Sequence, residues 1–266
     1  MSQIIERFSR ILRDEPGRPL IHQPLIQKAL TAEDLWDASV RQRSRLEQLG
    51  LGRDQLVIYA AGNRPDLPAL WLAARSLGLS LMPMDAGAAP GEVASLANRF
   101  GASAVLVADT AALPLDIGDP APYVPGLTVL KPRRSTDPPA TYRGGAVLKL
   151  TSGSTGLPKA TFTTDEQLVN DAEHIVRAMD IRPSDCQMAA IPLSHAYGIG
   201  SLLLPLLIQG TAVVLRDTFV PHQFVSDAKT YGARVFPGVP FMFDHFNAHL
   251  SPGAWPAGLE VLISAG

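Results

Sequence analysis

The sequence predicts an α/β protein of two lobes, each a mainly parallel sheet flanked by helices. Three observations carry that reading. Short apolar runs such as "LVIYAA", "SAVLVAD" and "AVVL" lack the polar alternation of a half-exposed strand, as expected for strands covered on both faces. Helical stretches stand between these runs, and strand-helix alternation argues for parallel sheets whose ligands collect at the carboxyl ends of the strands. Glycine or proline marks the junctions, as at Gly50, Pro65, Gly78 and Pro90.

In chain order, Ile4, Ile5, Phe8, Ile11 and Leu12 fall on one face of a helix that ends before Pro16-Gly17, a stripe expected to dock on the body of the protein. A second helix starts at Thr31, where Asp34 three positions on nearly completes a capping box, and runs to Gly50. "LVIYAA" is a strand, Pro65 opens a helix to Gly78, and "SLMPMD" is the next strand. Pro90 to Phe100 is a helix and "SAVLVAD" a strand. The proline-rich stretch from Leu113 to Arg143 has no sustained period and reads as an irregular connection between a first lobe, residues 1–143, and a second, residues 144–266. Past it, "AVLKL" is a strand and "DEQLVNDAEHIVRAM" a helix capped at Thr164, with Gln167 three residues later. "CQMAAI", "AVVL", "ARVF" and "EVLI" are strands; "SLLLPLLIQ", "PHQFVSDAKTYG" and "PFMFDHFNAHL" are the helices between them.

Composition excludes several functions. The 266 residues, 46% of them hydrophobic, suffice for a large core in one big domain or two smaller ones. Lys+Arg at 23 against Asp+Glu at 25 leaves no basic field, so nucleic acid is not an expected partner. The single cysteine, Cys186, makes neither an internal disulfide nor a metal site, which points to a reducing, cytoplasmic compartment. The amino terminus interleaves charged and apolar residues, unlike a secretory signal. "GIGSLLLPLLIQG" is shorter than the roughly 20 residues a bilayer requires, and Pro205 interrupts it, so no transmembrane segment is expected. Leu259 to Ile263 reads as a core strand with no polar tail after it, the pattern of a piece of something longer.

After "AVLKL" stands "TSGSTGLPKA", from Thr151 to Ala160. A strand feeding a loop of small residues exposes backbone N–H groups, adds hydroxyls, and lets an anion approach without obstruction. That describes a phosphate site, to which Lys159 adds a point charge and Pro158 stiffness. The spacing does not fit G-x-x-x-x-G-K-[ST], because Pro158 stands where the second glycine would be and Ala160 follows the lysine. No G-x-G-x-x-G follows a strand either. Composition alone leaves an ordinary surface loop equally open.

The order of residues in "LTSGSTGLPKA" resembles the phosphate-binding loop of the acyl-adenylate-forming superfamily, with Ala160 where a glycine is usual. "IPLSHAYGIG", some 40 residues on, is similar to that family's "PL-aromatic-H-x-x-G" block, with Ser194 replacing the aromatic. Fainter likenesses lie in "GNRPDLPALWLAARSLGLSLMPMD", "FPGVP" and "LISAG", so the resemblance covers roughly residues 17 to 266.

The resemblance implies that a carboxylic acid attacks the α-phosphorus of ATP, giving an acyl-adenylate and pyrophosphate, and that a thiol of CoA or of a carrier protein then takes the acyl group. Thr151, Ser152, Ser154 and Thr155, with the amides of Gly153 and Gly156, would hold the β- and γ-phosphates, and Lys159 the leaving pyrophosphate. Mg²⁺ would bridge the phosphates next to Thr155. Ser264, Ala265 and Gly266 would begin the adenine site. His195 is the implied catalytic residue, where acid pocket and thiol path meet; Tyr197 and Gly198 would shape the same wall, and Gly238, Val239 and Pro240 the acyl pocket. His22, His174, His222, His245 and His249 match no block and receive no role.

An amino-acid-activating domain carries an aspartate in this block, because a substrate ammonium is not buried alone. Here Ser194-His195-Ala196-Tyr197 occupies it, which favours a fatty or aryl acid. The family places a Mg²⁺-binding glutamate, a ribose-binding aspartate and a mobile carboxyl-terminal domain with a catalytic lysine later in sequence. The implied protein is therefore the amino-terminal part of an acyl-CoA synthetase, inactive without its carboxyl-terminal part, with open sheet edges that favour a homo-oligomer. The alternative is a non-catalytic nucleotide-binding or assembly module that keeps the fold without the chemistry.

Overall fold

A computed structural model describes residues 2–109, 112, 117–132, 142–151, 159–216, 218–251 and 253–265. The chain opens with α1 (Gln3–Asp14), β1 (Pro19–Gln23), a 3-10 turn (Pro24–Ile26) and β2 (Lys28–Thr31). There follow α2 (Ala32–Gln48), β3 (Leu56–Ala60), α3 (Asp66–Leu77), β4 (Ser80–Pro83), α4 (Pro90–Arg99) and β5 (Ala104–Ala108). The middle holds β6 (Pro120–Val124), β7 (Leu127–Leu130), β8 (Gly145–Thr151), β9 (Lys159–Thr164) and α5 (Asp165–Ala178). The remainder comprises β10 (Cys186–Ala189), α6 (Ala196–Gly198), a π-helical turn (Ile199–Leu203), α7 (Leu204–Gln209) and β11 (Ala212–Leu215). It ends with α8 (Pro221–Thr230), β12 (Val235–Gly238), α9 (Pro240–His249) and β13 (Val261–Ser264).

These elements form two sheets of mixed but mainly parallel strands, as the sequence predicts. One has the order β6-β7-β5-β3-β4-β8-β9, parallel from β5 to β8 and antiparallel at both margins. The other has the order β13-β12-β10-β11-β1-β2, parallel except for β2. The chain divides into two compact units, Met1–Ile5, Asp37–Gly62 and Ala69–Gln167 in the first, Glu6–Trp36, Asn63–Pro68 and Leu168–Gly266 in the second. The expected division at residues 143/144 differs from this: β8 pairs with β4 and so belongs with the first sheet, whereas residues 19–31 join the second.

Both predicted capping boxes form. Thr31 N donates to Asp34 Oδ2 at 2.9 Å and Asp34 N to Thr31 Oγ1 at 3.1 Å. Thr164 N donates to Gln167 Oε1 at 2.9 Å and Gln167 N to Thr164 Oγ1 at 3.3 Å. Thr31→Ala removes the side-chain acceptor for an N–H of the first turn of α2 and is expected to cost about 1 kcal/mol of stability, read as a lower urea midpoint. An unshifted midpoint would contradict it.

In the first unit the core is built by Leu56 and Ile58 of β3, Met82 of β4, Val93 and Leu96 of α4, Val105 of β5, Leu130 of β7 and Leu148 of β8. One charged junction lies against this interior. Asp165 Oδ2 accepts from Ser2 Oγ at 2.7 Å and from Ile4 N at 3.3 Å, and Oδ1 stands 3.2 Å from Arg75 Nε. Arg75 also donates to the carbonyl of Leu79. Burial pulls its guanidinium pKa down, and Asp165 opposes that fall. In the second unit Phe8 of the α1 stripe is fully buried and stacks on Trp36 at 6.2 Å, so the stripe docks there as expected. Cys186 is buried, and burial with the neighbouring Asp185 pushes its thiol up to about 12, which makes it a packing residue rather than a nucleophile. Among the described residues no helix is long and apolar enough to cross a membrane.

Three segments depart from the expectation. The stretch from Leu113 to Arg143 contains a hairpin, β6 to β7, turning at Pro125-Gly126 with Gly126 at φ 84°. Pro120 and Pro122 in β6 lack the N–H of a ladder donor, which is compatible with its place at a sheet margin. The "SLLLPLLIQ" helix begins as a π turn, because Pro205 has no N–H to bond one turn back. The third, β9, returns from the hydroxyl-rich loop as a strand.

Candidate functional site

The predicted site residues fall in two places. In the first unit β8 and β9 pair antiparallel with Thr151 opposite Lys159, so the segment between them leaves one strand and re-enters its neighbour. Lys159 is the exposed first residue of β9. Ser152, Gly153, Ser154, Thr155 and Gly156 lie outside the described residues, as do Gly266 and the side chain of Thr151.

In the second unit the remaining candidates gather at the carboxyl ends of the parallel strands. β10 ends at Ala189 and passes through a tight turn to His195, whose N–H donates to Pro192 O at 3.2 Å. His195 is exposed and extended (φ −84°, ψ 154°), and helical backbone begins at the next residue. Gly198 is required three residues later: a Cβ there would stand 2.0 Å from Pro192 O and 3.1 Å from Leu193 Cα. Tyr197 links neighbouring strands, its hydroxyl donating to Ile263 O of β13 at 3.0 Å and reaching Gly238 O of β12 at 3.3 Å. Burial raises the Tyr197 pKa, so the hydroxyl stays protonated and able to donate. Ala265 N also donates to Gly238 O, at 3.3 Å. Tyr197, Gly238 and the exposed Ser264-Ala265 pair are thus brought together. Val239 and Pro240 follow at the start of α9.

Asn63 is the residue that sequence reasoning missed. It is 8% exposed; its Oδ1 accepts from Leu193 N at 2.7 Å, and its Nδ2 donates to Ile191 O at 3.2 Å and to Arg216 O at 3.4 Å. Its one sequence signal is its position immediately after the end of an apolar strand, where ligand-side loops begin. Nearby, Met188, Ala190, Val214, Arg216, Phe219 and Phe224 line a small, mostly apolar hollow at the ends of β10 and β11. Arg216 is held there by both oxygens of Asp227, which keep its pKa high.

Two helix-flanked sheets make up the fold, one carrying the paired strand ends at Thr151 and Lys159 and the other the His195 turn. The chain belongs to the AMP-binding enzyme family, whose model matches residues 8–266. Sulfoacetate–CoA ligase of Cupriavidus necator is 27% identical over 267 residues, 94% of this chain and 52% of that protein. Feruloyl-CoA synthase of an Amycolatopsis species is 32% identical over 103 residues, 39% of this chain and 21% of that one. The chain therefore spans about half the length of the sulfoacetate ligase. In fold it is similar to the N-terminal domain of FACL13 from Mycobacterium tuberculosis, with a TM-score of 0.82 at 18% identity, covering 100% of this chain and 70% of that one. ATP-bound MatB from Rhodopseudomonas palustris gives 0.77 at 17% identity, over 100% of this chain and 55% of that one.

Proposed function

We propose that the chain is the amino-terminal part of an ATP-dependent carboxylic acid:CoA ligase that activates a fatty or aryl acid through an acyl-adenylate. The observation that carries this is the β8–β9 register, which sets Thr151 across from Lys159 at the two ends of the hydroxyl-rich segment. In this reading Thr151, Ser152, Ser154 and Thr155 and the amides of Gly153 and Gly156 bind the β- and γ-phosphates. Lys159, exposed at the start of β9, neutralises the departing pyrophosphate. Ser264, Ala265 and Gly266 meet the adenine, and the exposure of Ser264 and Ala265 fits that use. Mg²⁺ would be carried by phosphate oxygens, with Thr155 as a protein contact. His195 faces the acid and the incoming thiol, while Tyr197, Gly198, Gly238, Val239 and Pro240 shape the acyl side.

The acid is fatty or aryl because the Ser194–Tyr197 block offers no carboxylate for a substrate ammonium. Cytosolic placement and self-association through sheet margins belong to the same reading. Synthetase activity needs the part of the family's length that this chain does not span, and ATP–pyrophosphate exchange by residues 1–266 alone at ordinary enzyme rates would disprove that.

Lys159→Ala is expected to weaken ATP binding about tenfold or more, since a polyphosphate charge left unpaired in a site is costly. Calorimetric titration of both proteins with Mg-ATP is the test, and equal affinities would refute the role. Mass spectrometry of the full-length enzyme given mixed acids then identifies the adenylate. An aminoacyl-adenylate as the main product would refute the acid assignment, and nucleotide binding with no adenylate would mark a non-catalytic module.

A further inference from the structure

We propose that Asn63 is the positioning residue of the His195 turn, its single side-chain amide fastening the segment after β10 to the segment after β11 and so fixing where His195 stands. The connection to acid activation rests on the reading of His195 given above; the fastening itself does not.

Asn63 is more than nine-tenths buried, and three of its four hydrogen-bonding positions are used on main-chain groups. The orientation of the amide follows from those partners. Leu193 presents an N–H, so an oxygen must face it; Ile191 and Arg216 present carbonyls, so the NH₂ must face them. Ile191, Leu193 and Ser194 are themselves buried, which excludes bulk water as a ready substitute. On the far side of the same turn, Pro192 O and Leu193 Cα stand so close to Gly198 that no Cβ fits between them. The residues from Ile191 to His195 are therefore held from two directions, by an amide and by a close approach of backbone, and the His195 N–H to Pro192 O bond closes what remains. Without the amide the Leu193 N–H loses its acceptor in a buried place, and the turn must move to recover one. Displacement by as little as about 1 Å at a reacting centre costs on the order of a hundredfold in rate.

Amide exchange and side-chain NMR test the fastening. In Asn63→Ala, protection of the Leu193 amide should fall about tenfold or more and the His195 ring resonances should shift, while the Tyr59 amide in β3 keeps its wild-type protection. Wild-type Leu193 protection together with an unmoved His195 ring would overturn the proposal, as would equal loss of protection at Leu193 and Tyr59. Asn63→Asp serves if the alanine variant does not fold. It retains an acceptor for Leu193 but sets a carboxylate against the carbonyls of Ile191 and Arg216, so Leu193 should stay protected while the His195 ring still shifts; an unmoved ring overturns the proposal here as well.

A second measurement uses a benzoyl sulfamoyl-adenosine probe alongside AMP. Asn63→Ala should weaken the benzoyl probe about tenfold or more and AMP less than about twofold. Equal weakening of both would refute the link to the acid. If the wild-type protein binds neither the benzoyl probe nor its decanoyl counterpart, the ligase reading fails, and the exchange data alone still decide whether Asn63 fixes the turn.

Discussion

Arg75→Ala is expected to destabilise the protein by about 3–5 kcal/mol, because it strands a largely buried carboxylate. The Arg75 side chain is 6% exposed and that of Asp165 16%, so little solvent is at hand to replace either partner. The same carboxylate holds Ser2 and the backbone of Ile4, at the start of α1. A mutation at the end of α3 should therefore also loosen the amino terminus. Asp165→Asn keeps an acceptor for Ile4 and removes only the charge, so its loss should be smaller than that of Asp165→Ala. Denaturant unfolding followed by circular dichroism reads the whole series. A midpoint in Arg75→Ala within error of the wild type would show that the pair contributes nothing.

Gly198→Ala is expected to have the largest effect on binding and chemistry for the smallest change in composition. The added carbon would overlap Pro192 O at 2.0 Å and its carbonyl carbon at 2.8 Å, and both are main-chain atoms that move only with the turn itself. Overpacking of this kind costs about 1–3 kcal/mol. The displaced turn carries His195, so under the proposed function adenylate formation by the full-length enzyme should fall by about a hundredfold or more. Gly17→Ala is the control, since nothing lies within 4 Å of its added carbon. Equal activities of the two variants would remove the case for a tightly held turn.

What the sequence made readable was local. Thr31 with Asp34 and Thr164 with Gln167 announce helix starts because each cap and its partner lie within one turn. The runs at β3, β5, β10 and β11 announce strands because both their faces are covered. What stayed hidden was either marginal or distant. β9 is half exposed along its length and β6 carries two prolines, so neither shows an apolar run. That "PLIHQ" joins the parallel sheet depends on Val213 and Val214, which lie far along the chain. The site divides in the same way. The order of residues from Thr151 to Lys159 and around His195 pointed to a family, and the family model bears that out. Asn63 has no such signature, because a lone asparagine gains its meaning only from the two carbonyls and the amide folded around it.

The pairing of β1 with β11 also has a price in time. Ile21 is made early, yet its strand partner Val213 emerges from the ribosome roughly 190 residues later, on the order of 10–40 s at ordinary elongation speeds. Throughout that interval Leu20 and Ile21, fully buried in the finished protein, have only the neighbouring β2 to pair with. Diluted, unhurried refolding should therefore recover the protein better than rapid concentration.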